Sequence, residues 1–162
     1  MKNIAIKGWN GVNSVLNTNA ILLRIDKIEE NVQELKEIAK LSFQEFQENR
    51  LALPAVERML QISIEACLNI GSHIVSAIGT RRANNYSDII KILAEEKVLT
   101  PDFAKKIARM AGFRNILVHV YLDVDIEETY RIIQENLDDF GEFVKQVKEF
   151  LKEYEENKGS TC

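Results

Sequence analysis

From Ile25 onward the apolar residues come back every three or four positions: Ile25, Ile28, Val32, Leu35 and Ile38, with Ser42 and Phe46 continuing the step. An α-helix turns that spacing into one continuous stripe. The period returns down most of the chain, and little interrupts it, since only two prolines occur in 162 residues. Pro54 suits the first turn of a second helix, and Thr100-Pro101 reads as a cap followed by proline at the first helical position of a fourth. The chain is therefore expected to build its core from helices.

The second helix, "AVERMLQISIEACLNIGSHIVSAIG", is apolar on more than one face, which predicts a central position. Gly79 and "TRRANNYS" end it, and Ser87 is expected to cap a short third helix, "DIIKILAEEKV". Asp125 and Glu128 have the spacing of a capping box for a last helix that runs to about Tyr154. Residues 1–19 lack a clear period and read as a flexible leader, residues 20–155 as a single helical domain, and residues 156–162 as a frayed tail. The predicted architecture is all-α, an up-and-down bundle of about five helices.

One segment reads two ways. Val118, Val120, Leu122, Val124 and Ile126 alternate with His119, Tyr121, Asp123 and Asp125, as in a strand. A lone strand would leave its backbone groups unpaired, and no other segment reads clearly as a strand. A helix through about Tyr121, followed by a turn at "LDVD", is the preferred reading.

Composition bounds the class. The 46% hydrophobic and 28% charged shares are ordinary for a globular protein. No apolar run approaches the roughly 18–20 residues that span a bilayer, and the start of the chain has no continuous apolar signal region. Cys67 and Cys162 are too far apart in sequence to suggest a metal site or a disulfide framework. A cytoplasmic location and no membrane association are expected. The net charge of −4 argues against general nucleic-acid binding, but its distribution is uneven. Residues 81–121 carry eight Lys/Arg against four Asp/Glu, whereas residues 122–162 carry five against twelve. Phosphate binding needs local positive potential rather than a basic total.

The basic segment ends in "RNILVHVY", which holds one of the chain's two histidines. On a helix Arg114 and His119 lie about 140° apart around the axis, whereas Asn115 and His119 share a face. Histidine exchanges protons near neutral pH, and arginine offers a forked, permanently charged donor set that matches phosphate oxygens. Together they suit metal-free RNA cleavage, in which the 2′-hydroxyl attacks phosphorus, His119 moves protons and Arg114 steadies the charge on the phosphate. Metal binding is not expected, because no second His or Cys is near in sequence. Spacing alone favours a plainer reading: His119 as a satisfied core histidine and Arg114 in a surface ion pair.

The longer stretch "FRNILVHVY" resembles the Arg-x4-6-His motif of HEPN-domain ribonucleases, in the Arg-Asn-x3-His-x-Tyr form of HepT-like toxins. "AVERMLQISIEACLNIGSHIV" resembles that family's second helix and "YRIIQENLDDFGEF" its last, so the likeness covers about residues 21–152. The resemblance implies a HEPN-like helical homodimer with the Arg114 and His119 of two protomers meeting in a cleft at the interface, supported by Asn115. It implies an RNA substrate and no cofactor. It also implies a toxin whose antitoxin is a minimal nucleotidyltransferase (MNT type) that attaches AMP to the motif tyrosine, Tyr121. The alternative is a non-catalytic adaptor that only binds such a transferase.

Several further residues are candidates. Arg81, Arg82, Lys105, Lys106 and Arg109 could guide RNA phosphates, although ordinary solvation explains each equally well. Glu57, Gln61 and Glu65 step by four beside Arg58 and read more readily as a solvated stripe than as a cleft wall. His73 reads as structural rather than catalytic. Tyr86 and Tyr130 are the other tyrosines that a modifying enzyme could choose.

Overall fold

The computed structural model describes residues 15–118 and 125–159. Seven helices follow in order: α1 Thr18–Ile38, α2 Phe43–Glu48, α3 Ala52–Ile78, α4 Tyr86–Glu95, α5 Pro101–Val118, α6 Ile126–Glu135 and α7 Leu137–Gly159. No strand occurs among the described residues. The chain is an all-α, up-and-down bundle, as its periodicity predicts. The strand reading fails at both ends, because Val118 closes α5 and Ile126 opens α6. Residues 119–124 lie outside the described residues.

Two expected helices are each divided in two. The stripe Ile25 to Phe46 ends its first helix at Ile38, because Ser42 starts a new one. Its hydroxyl accepts from the Glu45 backbone N–H while the Glu45 carboxylate accepts from the Ser42 N–H, a complete capping box that re-aims the chain. Phe46 keeps its place in the core from α2. The last helix breaks at Asn136, which separates α6 from α7. Asp125 does cap α6, accepting from the N–H groups of Glu127 and Glu128. The cap of α4 is Asn85 rather than Ser87: its side chain accepts from the Asp88 N–H.

The helical unit also begins inside the stretch assigned to a leader. Leu16 is buried in the core, and Asn17 caps α1 by accepting from the Ala20 N–H. Residues 1–14 lie outside the described residues, and α7 continues through Gly159, past the expected boundary at 155.

Helix α3 is central, touching all six others. Its apolar faces supply Val56, Leu60, Ile64, Ile70 and Ile74 to one core shared with α1, α4, α5 and α7. Gly71 lets α4 approach closely, since a Cβ there would come within 2.8 Å of Ile89 and 3.0 Å of Leu93. Polar pins set the register. Asn31 of α1 donates to Ser63 Oγ of α3 at 3.2 Å, deep in the core. Gln146 of α7 accepts from the Thr100 N–H at 2.8 Å, so the start of α5 is tied to α7. Tyr130 of α6 donates to the Leu41 carbonyl at 2.7 Å and packs its ring against Phe43 and Phe46. No described helix is long and apolar enough to cross a membrane.

Candidate active site

Arg114 sits near the C-terminal end of α5, on the side that faces α3 and α4. Three helices determine what it meets. Glu65 comes from the middle of α3, and Tyr86 is the first residue of α4. Asn69 follows Glu65 by one helical turn on the same face. With Leu68 these residues line a cleft of about 150 Å³.

The guanidinium is held from two directions. Arg114 Nη2 donates to Glu65 Oε1 at 3.3 Å, and its Cζ lies 5.3 Å from the centre of the Tyr86 ring, within cation–π reach. Arg114 Nε is buried and has no hydrogen-bond partner among the described residues. The Arg114 and Glu65 side chains are 22% and 35% exposed, so the pair is only partly screened. Glu65 is itself steadied along α3: Gln61 Nε2 donates to its Oε1 at 3.3 Å, and Arg58 donates to Gln61 Oε1 at 3.2 Å. The polar stripe of α3 therefore reaches the cleft at Glu65, braced by Gln61, where its spacing suggests a solvated face. Its first member, Glu57, is half-buried, and desolvation pushes its carboxyl up.

The remaining surface of α5 points the other way. By helical geometry Lys105, Arg109, Gly112 and Ile116 lie within one narrow sector, roughly opposite Arg114. All four are exposed, Ile116 at 44%. Asn115 is exposed beside them. His119 and Tyr121, the other motif residues, lie outside the described residues.

The basic candidates separate into two groups. Arg81 forms a two-pronged pair with Asp88 at 2.8 Å and reaches Glu95 at 3.2 Å. This arginine holds the Asp88 carboxyl down at about 2, helped by the Asn84 N–H. Lys106 is paired with Asp139. Arg82, Lys105 and Arg109 have no ion-pair partner among the described residues. His73 is structural, as expected: its Nε2 accepts the Asn17 N–H at 3.0 Å and so anchors the start of α1 on α3. Cys67 is buried in α3, where desolvation pushes its thiol up and away from nucleophilic use. Among the described residues no three His, Cys, Asp or Glu side chains gather into a metal-binding cluster.

Known proteins resemble this chain in fold and, more distantly, in sequence. A family model described as "Ribonuclease HepT-like" matches residues 28–147. The tRNA nuclease HepT of Aphanizomenon flos-aquae is 29% identical over 133 residues, which cover 82% of this chain and 90% of that protein. The structure of the cytosolic protein YutE from Bacillus subtilis superposes with a TM-score of 0.76 at 22% identity, covering 86% of this chain and 93% of that one. A tri-AMPylated HEPN toxin from Shewanella oneidensis, solved in complex with an MNT antitoxin, gives a TM-score of 0.72 at 23% identity over 85% of this chain and 98% of that one. At these identities the two structures speak for the fold.

Proposed function

The chain belongs to the ribonuclease HepT-like family, and on that premise we propose that it is the toxin of a toxin–antitoxin pair, a metal-independent endoribonuclease. The observation that carries this reading is the state of Arg114. Its guanidinium is oriented by Glu65 and Tyr86, opens onto a cleft and keeps a buried Nε–H without a partner among the described residues. An arginine in a simple surface ion pair needs neither the cleft nor the ring.

In this mechanism Arg114 places its fork on the scissile phosphate. His119 acts as general acid and base while the RNA 2′-hydroxyl attacks phosphorus and the 5′-oxygen leaves. Asn115 supports the motif. A homodimer would bring the Arg114 and His119 of two protomers into one cleft, with Lys105, Arg109 and Arg82 guiding RNA phosphates. Arg81 and Lys106, already neutralised by carboxylates, contribute less. Purified protein should scatter light as a dimer at micromolar concentration and cut RNA into defined fragments. A monomer would remove the composite site, and RNA left intact by a dimer would favour the non-catalytic adaptor.

The antitoxin partner is a minimal nucleotidyltransferase of the kind present in the Shewanella complex. The proposed target is Tyr121, where AMP would add a negative phosphodiester close to Arg114 and His119 and repel incoming RNA. Of the other tyrosines, Tyr130 is committed to the Leu41 carbonyl, whereas Tyr86 is exposed beside Arg114. Incubation with the cognate transferase and ATP, followed by mass spectrometry, should show AMP on the wild type and none on Tyr121→Phe. Tyr121→Phe should keep RNase activity and escape neutralisation. Equal AMP addition to both proteins would move the target elsewhere, with Tyr86 first in line.

A further inference from the structure

The cleft beside Arg114 contains more than a phosphate anchor needs. Tyr86 is 39% exposed while its ring already carries the Arg114 guanidinium, so ring surface remains for a second planar group. Asn69 is exposed on the cleft wall, and its amide has no hydrogen-bond partner among the described residues. Glu65 receives both of its hydrogen bonds, from Arg114 and from Gln61, on Oε1. Its Oε2 accepts none among the described residues. Leu68 adds an apolar wall. The space, about 150 Å³, is below the roughly 300–1,000 Å³ of pockets for drug-sized ligands and suits a single planar ring system.

We propose that this cleft is a nucleobase subsite. Tyr86 stacks the base of the nucleotide next to the phosphate on Arg114, and Asn69 and Glu65 Oε2 read its edge. The inference rests on the ribonuclease reading for the identity of that phosphate. A site built only for anions would not set a carboxylate in its wall, because Glu65 repels a second phosphate. An aromatic face, a free amide and an acceptor-only oxygen together match a flat heterocycle that donates N–H groups. Guanine is the base that fits best. It presents two adjacent donors, N1–H and the N2 amino group, so either can point at Glu65 Oε2 without setting an acceptor beside it. The other three bases set an acceptor beside their donor, and that acceptor would face the Glu65 charge. Tyr86, Asn69 and Glu65 are thus assigned to specificity, and cleavage is expected beside guanosine.

The test separates binding from cleavage. Four oligonucleotides of 2′-O-methyluridine, differing only in a central A, C, G or U, cannot be cut through a 2′-oxygen. Fluorescence anisotropy with the wild type should rank the guanine form tightest. Removal of one stacking partner predicts that Tyr86→Ala weakens that complex about tenfold and levels the four affinities. Tyr86→Trp should retain the ranking, and Asn69→Ala should level it while keeping most of the stacking. On cleavable RNA, Tyr86→Ala should raise KM more than it lowers kcat. Unchanged affinity and base ranking in Tyr86→Ala would overturn the subsite even if the wild type cuts RNA. Tyr86-dependent guanine binding by a wild type that cuts nothing would sustain the subsite and sink the ribonuclease reading. Failure of the wild type to bind any of the four would overturn both.

Discussion

Replacing His119 with alanine is expected to lower RNA cleavage by about 10²–10⁴-fold, the range typical of losing a positioned general acid–base group. In the proposed mechanism one imidazole must take the proton of the attacking 2′-hydroxyl or deliver one to the leaving 5′-oxygen. His73, the chain's other histidine, cannot substitute, because its Nε2 is occupied by the Asn17 N–H at the start of α1. The bundle should remain folded, since its core is the apolar set around α3. Circular dichroism and light scattering unchanged from wild type, with RNA left intact, are the expected pair of results. Full activity in His119→Ala would exclude it from proton transfer and return it to the role of a structural histidine.

Arg114→Ala should lower cleavage by about 10²–10³-fold, as removal of a preorganised charge-stabilising donor does elsewhere. The effect on stability should be small. The pair with Glu65 is partly exposed, and such pairs contribute at most about 1 kcal/mol. Arg114→Lys is the sharper substitution. Lysine keeps the charge but loses the planar fork that can face Glu65, the Tyr86 ring and a phosphate at once. We expect it to recover little of the lost rate. Full rescue by lysine would mean that only a local positive charge is needed and that the arranged donors are incidental.

The helical class and the family likeness are legible in the sequence. The periodic stripe from Ile25, the proline at 101 and the Asp125 cap all hold in the structure. The break at Ser42 was also present in the sequence, as Ser42 with Glu45 three residues on, but the apolar step through Phe46 masked it. Periodicity continues across a tight reversal whenever the next helix buries its residue in the same core, so apolar spacing alone overestimates helix length. The break at Asn136 escaped for the same reason, since Leu137, Phe140 and Val144 keep the period on the far side. The partners of Arg114 were illegible for a different reason. Glu65 is 49 positions away, and only the crossing of α3 and α5 brings the two together. Nothing local to Tyr86 predicts that α4 begins against the guanidinium. In the same way nothing local to Arg81 predicts its pairing with Asp88 and Glu95, which the turn after Gly79 and the length of α4 set beside it.

The central claim is that Arg114 and His119 cut RNA through its own 2′-hydroxyl without a metal ion. Cleavage of a short, end-labelled RNA by purified dimer in excess EDTA, with the new ends identified by mass spectrometry, tests it most directly. Undiminished cleavage is expected, with a 2′,3′-cyclic phosphate or its opened form on one fragment and a 5′-hydroxyl on the other. Cleavage that stops in EDTA and returns with added metal, or fragments that carry a 5′-phosphate, would contradict it.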